Sequence, residues 1–403
     1  MLDGAQANVR PVTTGLNKKA MAALSSGHLA TDFANGALPA LLPFLVHRFD
    51  LSYTLAAVVM LTWAISSSVV QPLFGLWSDR RGAVWLLPAG LAAGGAGIGL
   101  ASAAPAYWLV LLFVALSGLG TAAYHPEGSK FAAYASGDRR ASGMSLFSIG
   151  GNMGYALGPI AATAVVVHLG LEGGLILALP CLAVAGVLLW LVPFLQGFAP
   201  ERGARPRWGG EDRPRALALL LAVIALRNVG WFSLVTFVPL YEVSLGHSES
   251  YGNRLLALML LSGGVGTLAA GPLADRVGRR PVLLGSLALT GPLVLAYLLL
   301  GGLAGAVALA LVGACVIGTF GVTMVMGQEY LPRRIGMASG LTVGLAIGVG
   351  GVGAVVVGAV ADRVDLDSAL YVAAAVPVLS LALAAFLPSP PAARRLEPEL
   401  ATP

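Results

Sequence analysis

Long apolar segments, separated by short polar ones, occupy almost the whole chain. Apolar runs of about 18 residues or more are typical of helices that cross a lipid bilayer. Only 11% of the 403 residues are charged, whereas soluble globular domains are about 25% charged. The pattern excludes a soluble enzyme and predicts an all-α integral membrane protein with twelve transmembrane helices. The predicted spans are 22–47, 53–77, 83–103, 106–130, 141–167, 172–194, 215–241, 251–273, 281–302, 304–328, 336–360 and 368–387.

The chain also contains an internal repeat at an offset of 196 residues. The segment GLWSDRRGAVWLL begins at Gly75, after the second span, and GPLADRVGRRPVLL begins at Gly271, after the eighth. The same offset relates Pro43 in the first span to Pro239 in the seventh. Repeats of this kind are typical of transporters built from two parallel halves. The sequence therefore predicts two pseudo-symmetric six-helix bundles.

The longest polar break, residues 196–215, is rich in Pro, Gly and Arg and is interpreted as a linker. It divides the chain into an N-terminal bundle, residues 1–195, and a C-terminal bundle, residues 216–403. Twenty of the 24 Lys and Arg residues lie in the two tails or in loops after even-numbered spans. Positively charged loops stay in the cytoplasm, so both termini are predicted to be cytoplasmic. The net charge of +5 reflects this topology rather than nucleic-acid binding.

Both repeated loops match the pattern G-x-x-x-D-R-x-G-R-R, which is complete in the second loop and degenerate in the first. With this doubled motif the chain resembles the major facilitator superfamily of transporters. In that family the loop helps to close the cytoplasmic gate. Glycine permits a tight turn, and aspartate can cap a neighbouring helix or pair with arginine. The gating residues that the resemblance implies are Gly75, Asp79, Arg80, Gly82, Gly271, Asp275, Arg276, Gly278 and Arg279.

The segment GNMGYALGP, residues 151–159, resembles the antiporter motif of the superfamily. Gly154 and Gly158 are four residues apart and give a helix a smooth face for close contact, while Pro159 adds a bend. The final glycines of the full motif are absent, since IAA follows. An antiport role and simple helix packing both stay open.

Four stretches are similar to the fosmidomycin resistance protein family of drug exporters. They are HLATDFANGALPALLP, GLGTAAYHPEGSK, SLFSIGGNMGYALGP, and GQEYLP followed by ASGL. Drug exporters often carry an arginine four residues before Gly118, where this chain has Val114. The resemblance implies drug efflux and antibiotic resistance at a bacterial cytoplasmic (inner) membrane, with a phosphonate such as fosmidomycin as the substrate.

Charged side chains inside the spans are the candidate functional residues, because each costs about 2.5–3.5 kcal/mol to insert. Asp32 lies about ten residues into the first span, and His28 lies one helical turn before it. Arg227 lies about twelve residues into the seventh span, and the repeat places Asp32 opposite the neighbouring Asn228. An Asp32–Arg227 pair could be purely structural. It could also be a switch, in which a substrate anion competes for Arg227 and frees Asp32 to take a proton.

The candidate proton-coupling residues are Asp32, His28, Glu127 and His125. The candidate substrate-binding residues are Arg227, Asn228, Asn35, Asn152, Gln328 and Trp231. Three acidic or imidazole groups have plainer alternatives. Glu127 could pair with Lys130 near the headgroups, His125 could bind carbonyls freed by the next proline, and Glu329 could form a surface salt bridge.

We predict a proton-coupled secondary active transporter that exports a small drug-like or anionic compound by alternating access. The alternatives are a proton-driven symporter for a small organic anion and a receptor that transports nothing. An enzyme is not expected, since no phosphate loop or nucleophile elbow occurs. Cys181 and Cys315 lie in separate apolar runs, which argues against a disulfide or a metal site. We expect no cofactor, a monomer, and a small molecule, protons and lipid as partners.

Overall fold

The computed structural model describes residues 15–81, 83–137, 139–198, 211–334, 337–338 and 341–389. Every regular element in that part of the chain is a helix. Eleven helices are long and apolar enough to cross a membrane, and one of them, Ser142–Gln196, has 55 residues. It is broken at Gly170, whose φ of 71° and ψ of 175° suit glycine, and so supplies two spans. The predicted twelve-helix membrane fold is confirmed, and the chain is a multi-pass membrane protein.

The N-terminal half contains α1 to α7, with a 3₁₀ turn at Gly174–Leu177 between the last two. These helices are Lys18–Phe49, Tyr53–Ser68, Gln71–Arg81, Leu86–Ala103, Tyr107–Ala135, Arg140–Gly173 and Ala178–Gln196. The C-terminal half contains α8 to α14, with a π-helical turn at Leu341–Leu345 before α13. These helices are Pro214–Ser244, Glu249–Val277, Arg279–Leu300, Gly302–Gly318, Phe320–Tyr330, Ala346–Arg363 and Leu366–Ala384.

Two spans consist of two consecutive helices each. The second span is α2 followed by α3, and the tenth is α11 followed by α12, with the interruption at Thr319. We call the side of the bundle where α1 begins and α14 ends the terminal face, and the other side the opposite face. Interrupted helices are common in transporters, because the freed backbone groups can line a cavity.

The repeat extends to the caps of the helices that start at the opposite face. The hydroxyl of Ser52 accepts from the backbone N–H of Leu55 at 3.3 Å, and that of Ser248 accepts from Tyr251 at 3.3 Å. The two serines differ by the repeat offset of 196 residues. A serine hydroxyl satisfies an N–H group that has no partner within its own helix, which explains why α2 and α9 begin at equivalent positions.

Close glycine contacts hold α6 against α1. A Cβ atom at Gly154 would lie 2.0 Å from the carbonyl oxygen of Leu29, and one at Gly158 would lie 2.5 Å from that of Phe33. Both glycines of the motif therefore occupy places where no side chain fits. Pro159 lies inside α6, next to these contacts.

The two halves meet along two seams. In the first, α2 lies against α13, and a Cβ atom at Gly351 would lie 2.9 Å from the Cβ of Ala64. In the second, α6 and α1 lie against α9, where the buried Asn253 donates to the carbonyl of Ala40 at 3.0 Å and to the hydroxyl of Thr163 at 2.8 Å. Most of the predicted linker at 196–215 lies outside the described residues.

Candidate functional site

Asp32 lies in the middle of α1 and contacts three polar side chains. One carboxylate oxygen is 3.2 Å from Nε2 of His28, and the other is 3.2 Å from Nε2 of His125 on α5. The second oxygen also accepts from the side-chain amide of Asn35 at 2.9 Å. We call these four residues the Asp32 cluster. The structure thus joins three of the predicted proton-coupling residues, from two helices, at one carboxylate.

Helical spacing explains this arrangement. His28, Asp32 and Asn35 are four and three residues apart, so they share one face of α1. Gly151 of α6 covers this face: a Cβ atom there would lie 2.5 Å from Cε1 of His28 and 2.6 Å from Oδ2 of Asp32. Because Gly151, the first glycine of GNMGYALGP, has no side chain, there is room beside α6 for His28 and Asp32.

The hydrogen bonds of His28 determine where its protons lie. Its Nδ1 is 2.8 Å from the backbone carbonyl oxygen of Phe147, and a carbonyl can only accept. Nδ1 therefore carries a hydrogen, and a neutral ring would point the lone pair of Nε2 at an acceptor oxygen of Asp32. The 3.2 Å contact is favourable when a proton lies between them. The geometry therefore favours a state in which the His28–Asp32 pair carries one added proton, shared between Nε2 and the carboxylate.

The same geometry bears on metal binding. The ligand atoms of His28, Asp32 and His125 lie within 4.8 Å of one another, close enough for a metal ion. This grouping could not be predicted from spacing along the chain, because the two histidines lie on different helices. Hydrogen bonds account for the same contacts without a metal.

Two hydrogen bonds on the side away from Asp32 fix the orientation of the Asn35 side chain. Its carbonyl oxygen accepts from the indole N–H of Trp63 at 3.0 Å and from the hydroxyl of Thr121 at 2.8 Å. An indole nitrogen only donates, so the amide nitrogen must face Asp32. Asn35 was predicted to bind substrate, whereas the structure places it against the candidate proton carrier. Thr121 was not among the predicted site residues, although it lies one turn before His125 on α5.

Arg227 lies on α8 and is 2% exposed. Its Nη1 donates to the hydroxyl of Thr319 at 3.0 Å, at the interruption between α11 and α12. Within the described residues, Nε has no hydrogen-bond partner. The contact that the sequence suggested between Arg227 and Asp32 is replaced here by contacts within each half. The repeat placed the two residues at equivalent depth, but depth does not decide which way side chains point.

Two other acidic residues form the plainer pairs that the sequence allowed. The buried carboxylate of Glu127 is 2.7 Å from Nζ of Lys130, and that of Glu329 is 2.8 Å from Nη1 of Arg279. His125, in contrast, contacts Asp32. In the Glu329 pair, the side chain of Glu329 is 8% exposed and that of Arg279 is 33% exposed, so only the acid is more buried than a surface salt bridge requires.

The remaining substrate-binding candidates lie on three helices. Asn228 and Trp231 are buried on α8, beside Arg227. Asn152 lies on α6 where it meets α9, since a Cβ atom at Gly264 would be 3.2 Å from the Cβ of Asn152. Gln328 lies on α12, near the terminal face. These helices come from both halves of the protein.

The structure describes the gating residues of the second loop more completely than those of the first. Gly75 lies in α3, but the side chains of Asp79 and Arg80, and the whole of Gly82, lie outside the described part. In the second loop, Gly271, Asp275 and Arg276 belong to α9. Gly278 joins α9 to α10 with a φ of 95°, a conformation that requires glycine, and Arg279 begins α10.

A second buried polar group lies near the opposite face. The carboxylate of Glu242 accepts from the hydroxyl of Tyr297 at 2.6 Å and contacts Nδ1 of His247 at 2.6 Å. These residues line a small recess, together with Tyr241 and Tyr251. Glu242 was not among the predicted site residues, because it lies one residue beyond the predicted seventh span.

Known proteins resemble this chain over most of its length. The family model described as Major Facilitator Superfamily matches residues 24–352 and 255–401. The MFS-type transporter YfnC of Bacillus subtilis is 34% identical, over 90% of this chain and 91% of its own. The fosmidomycin resistance protein of Escherichia coli is 31% identical, over 91% of this chain and 92% of its own.

Solved structures share the fold at low sequence identity. A bacterial homologue of the human lysosomal transporter Spinster superposes with a TM-score of 0.76 at 14% identity, covering 92% of this chain and 96% of its own. The nucleoside transporter NupG gives a TM-score of 0.74 at 13% identity, covering 91% and 99%. The arrangement of helices and the extent of the family match lead to one conclusion: this chain is a transporter of the Major Facilitator Superfamily.

Proposed function

We propose that this protein is a proton-coupled exporter of a small anionic or drug-like compound. It is a transporter rather than an enzyme, and it acts by alternating access as a monomer of two six-helix domains joined by the linker. It lies in the bacterial inner membrane with both termini in the cytoplasm, which the distribution of Lys and Arg supports. The observation that carries the proposal is the contact of Asp32 with two imidazoles inside the spans.

The Asp32 cluster is the proposed proton carrier. Ionisable groups within membrane spans commonly mark proton relays, because an uncompensated charge there is costly. His28 donates to a backbone carbonyl through Nδ1, so a proton shared between Nε2 and Asp32 satisfies both groups. His125 contacts the other carboxylate oxygen and offers a second path for the proton. Glu127 is the more distant relay candidate and pairs with Lys130.

Arg227 is the proposed contact for the anionic part of the substrate. A buried guanidinium that is held by one hydroxyl and has a free Nε is poorly compensated. A phosphonate or carboxylate could accept two parallel hydrogen bonds from such a group. Asn228, Trp231, Asn152, Gln328 and the backbone near them are proposed to complete the binding site. The similarity to the fosmidomycin resistance protein makes fosmidomycin the first compound to test.

Proton-driven uptake of an organic anion is the alternative, and the same residues would serve it. The resemblance of the α6 motif to the antiporter motif of the superfamily favours export, while its glycine contacts with α1 are also what simple helix packing requires. In either case the gating loops after α3 and α9 are proposed to close the terminal face.

The decisive experiment is transport in proteoliposomes in which the terminal face points outward. With an acidic lumen, a proton-coupled exporter accumulates fosmidomycin in the lumen, and a protonophore abolishes the effect. Accumulation that requires an acidic bath instead would establish symport and exclude the export proposal. EDTA should leave transport unchanged. Loss of transport that zinc restores would show that a metal, not a proton, occupies the Asp32 cluster.

A further inference from the structure

A chain of contacts runs from Asp32 to the C-terminal half of the protein. Asn35 contacts Asp32 on one side, and Trp63 and Thr121 on the other. The indole ring of Trp63, on α2, lies 6.4 Å from the ring of Phe232 on α8, centroid to centroid. Phe232 is five residues after Arg227 on the same helix. The network thus connects the candidate proton carrier with the helix that holds the candidate anion contact.

The orientation of the Asn35 amide bears on the protonation of Asp32. An ionised carboxylate only accepts hydrogen bonds, whereas a protonated one also donates. Trp63 and Thr121 both donate to the amide oxygen, so the amide nitrogen faces Asp32. This orientation satisfies the ionised carboxylate. Without the indole N–H, the amide is freer to turn its oxygen towards a protonated Asp32.

We propose that Asn35, held by Trp63 and Thr121, is a positioning residue that sets the pH at which Asp32 takes a proton. We further propose that this pH depends on the position of the C-terminal half, because Trp63 contacts Phe232 on α8. The proposal rests on the proposed role of Asp32 as the proton carrier, but not on the direction of transport or on the substrate. A movement of α8 relative to α2 would change the position of the indole, and with it the hydrogen bonding of Asp32.

Other titratable groups near Asp32 belong to three helices. His28 lies on α1, His125 and Tyr124 lie on α5, and Tyr155 lies on α6. The substitutions chosen for the test leave these four side chains unchanged. A shift in the titration of Asp32 would therefore report the Asn35 network.

The test is an infrared titration of the purified full-length protein, in which Asp32→Asn identifies the band of the protonated Asp32 carboxyl group. Trp63→Phe keeps the ring and removes the N–H donor, and Thr121→Val removes the hydroxyl at nearly constant volume. Each is expected to move the midpoint of the Asp32 band upward by about 0.5–1 pH unit, as expected for one hydrogen bond. Phe232→Leu should move it in the same direction by less.

Matched controls separate this effect from general perturbation. Trp108→Phe changes an exposed tryptophan, and Thr62→Val removes a hydroxyl that bonds its own helix at Val58. Neither should move the midpoint. An unchanged midpoint in both Trp63→Phe and Thr121→Val would overturn the positioning role, as would an equal shift in the controls. An unchanged midpoint in Phe232→Leu alone would overturn the link to the C-terminal half.

This readout does not depend on transport. Failure to transport fosmidomycin would count against the proposed function and leave the infrared result standing. Conversely, a wild-type titration without any Asp32 band between pH 4 and pH 9 would overturn the positioning proposal even if transport were proton-coupled.

Discussion

The carboxylate of Asp362, near the end of α13, accepts hydrogen bonds from the backbone N–H groups of Tyr53 at 2.7 Å and Thr54 at 3.0 Å, at the start of α2. A carboxylate in this position satisfies free N–H groups and interacts favourably with the positive end of the helix dipole. Here the cap comes from the other half of the protein. It therefore stabilises the contact between the halves at the opposite face.

We predict that Asp362→Asn makes the opposite face open more readily. Asparagine lacks the negative charge and one of the two accepting oxygens, a loss worth about 1 kcal/mol, which corresponds to about a fivefold larger open population. Spin labels at Trp108 and Leu303, both exposed at this face, would report the distance between the halves. Asp365→Asn is the matched control, because Asp365 caps its own helix through Ser368 at 2.7 Å. Equal distance distributions in wild type and Asp362→Asn would contradict the prediction.

We predict that Asp32→Asn abolishes proton-driven accumulation of fosmidomycin and leaves the protein folded. The amide retains the shape of the carboxylate but cannot exchange a proton at physiological pH. Exchange of labelled for unlabelled fosmidomycin without a gradient should persist, because it needs no net proton movement. Asp50→Asn is a suitable control, since Asp50 is exposed at the end of α1 with a φ of 50° that asparagine tolerates. Wild-type accumulation in Asp32→Asn would remove Asp32 from the mechanism.

We predict that Arg227→Ala weakens fosmidomycin binding by about 10- to 100-fold, the range for a lost charge-assisted hydrogen bond. Arg227→Lys should recover part of the affinity, because it restores the charge but not the bidentate geometry. Titration calorimetry on the detergent-solubilised protein would measure both. The exposed Arg254 on α9 provides the control substitution, Arg254→Ala.

Thermal stability distinguishes a binding role for Arg227 from a structural one. The guanidinium is buried without a carboxylate partner in the described part of the chain, so removing it should not lower the melting temperature. A large fall in melting temperature with unchanged affinity would identify Arg227 as a structural residue.

We predict different outcomes for two neighbouring glycines of α6. Gly154→Ala should strongly destabilise the fold, because its Cβ would lie 2.0 Å from the backbone carbonyl oxygen of Leu29 on α1. Gly151→Ala should fold but lose proton coupling, because its Cβ meets side chains of the Asp32 cluster that can move. Gly186→Ala on α7, where no atom lies within 4 Å of the new Cβ, should behave as wild type. Melting curves and gradient-driven transport would separate the three variants.

The apolar runs were sufficient to predict the membrane fold, because a span must satisfy its own backbone hydrogen bonds and so has few possible structures. The helical spacing of His28 and Asp32 likewise predicted that they share a face, and in the structure Asn35 lies on that face as well. Contacts between helices were harder to predict from the sequence. The sequence carried no sign that His125 approaches Asp32 or that Thr319 takes the hydrogen bond of Arg227, since both depend on helix rotation. Glu242 was not predicted as a buried polar residue, because it lies just beyond the apolar run that defined the seventh span.

The two seams between the halves differ in chemistry, although the repeat makes their helices equivalent. The residue 196 positions before Asp362 is Val166, so the charged cap has no counterpart on α6. That seam depends on the neutral amide of Asn253, which is 1% exposed. Dissolved ions screen an exposed carboxylate but hardly affect a buried neutral hydrogen bond. Ionic strength should therefore loosen one seam and not the other, so that the halves separate first along α2 and α13 and pivot about the contact of α6 with α9.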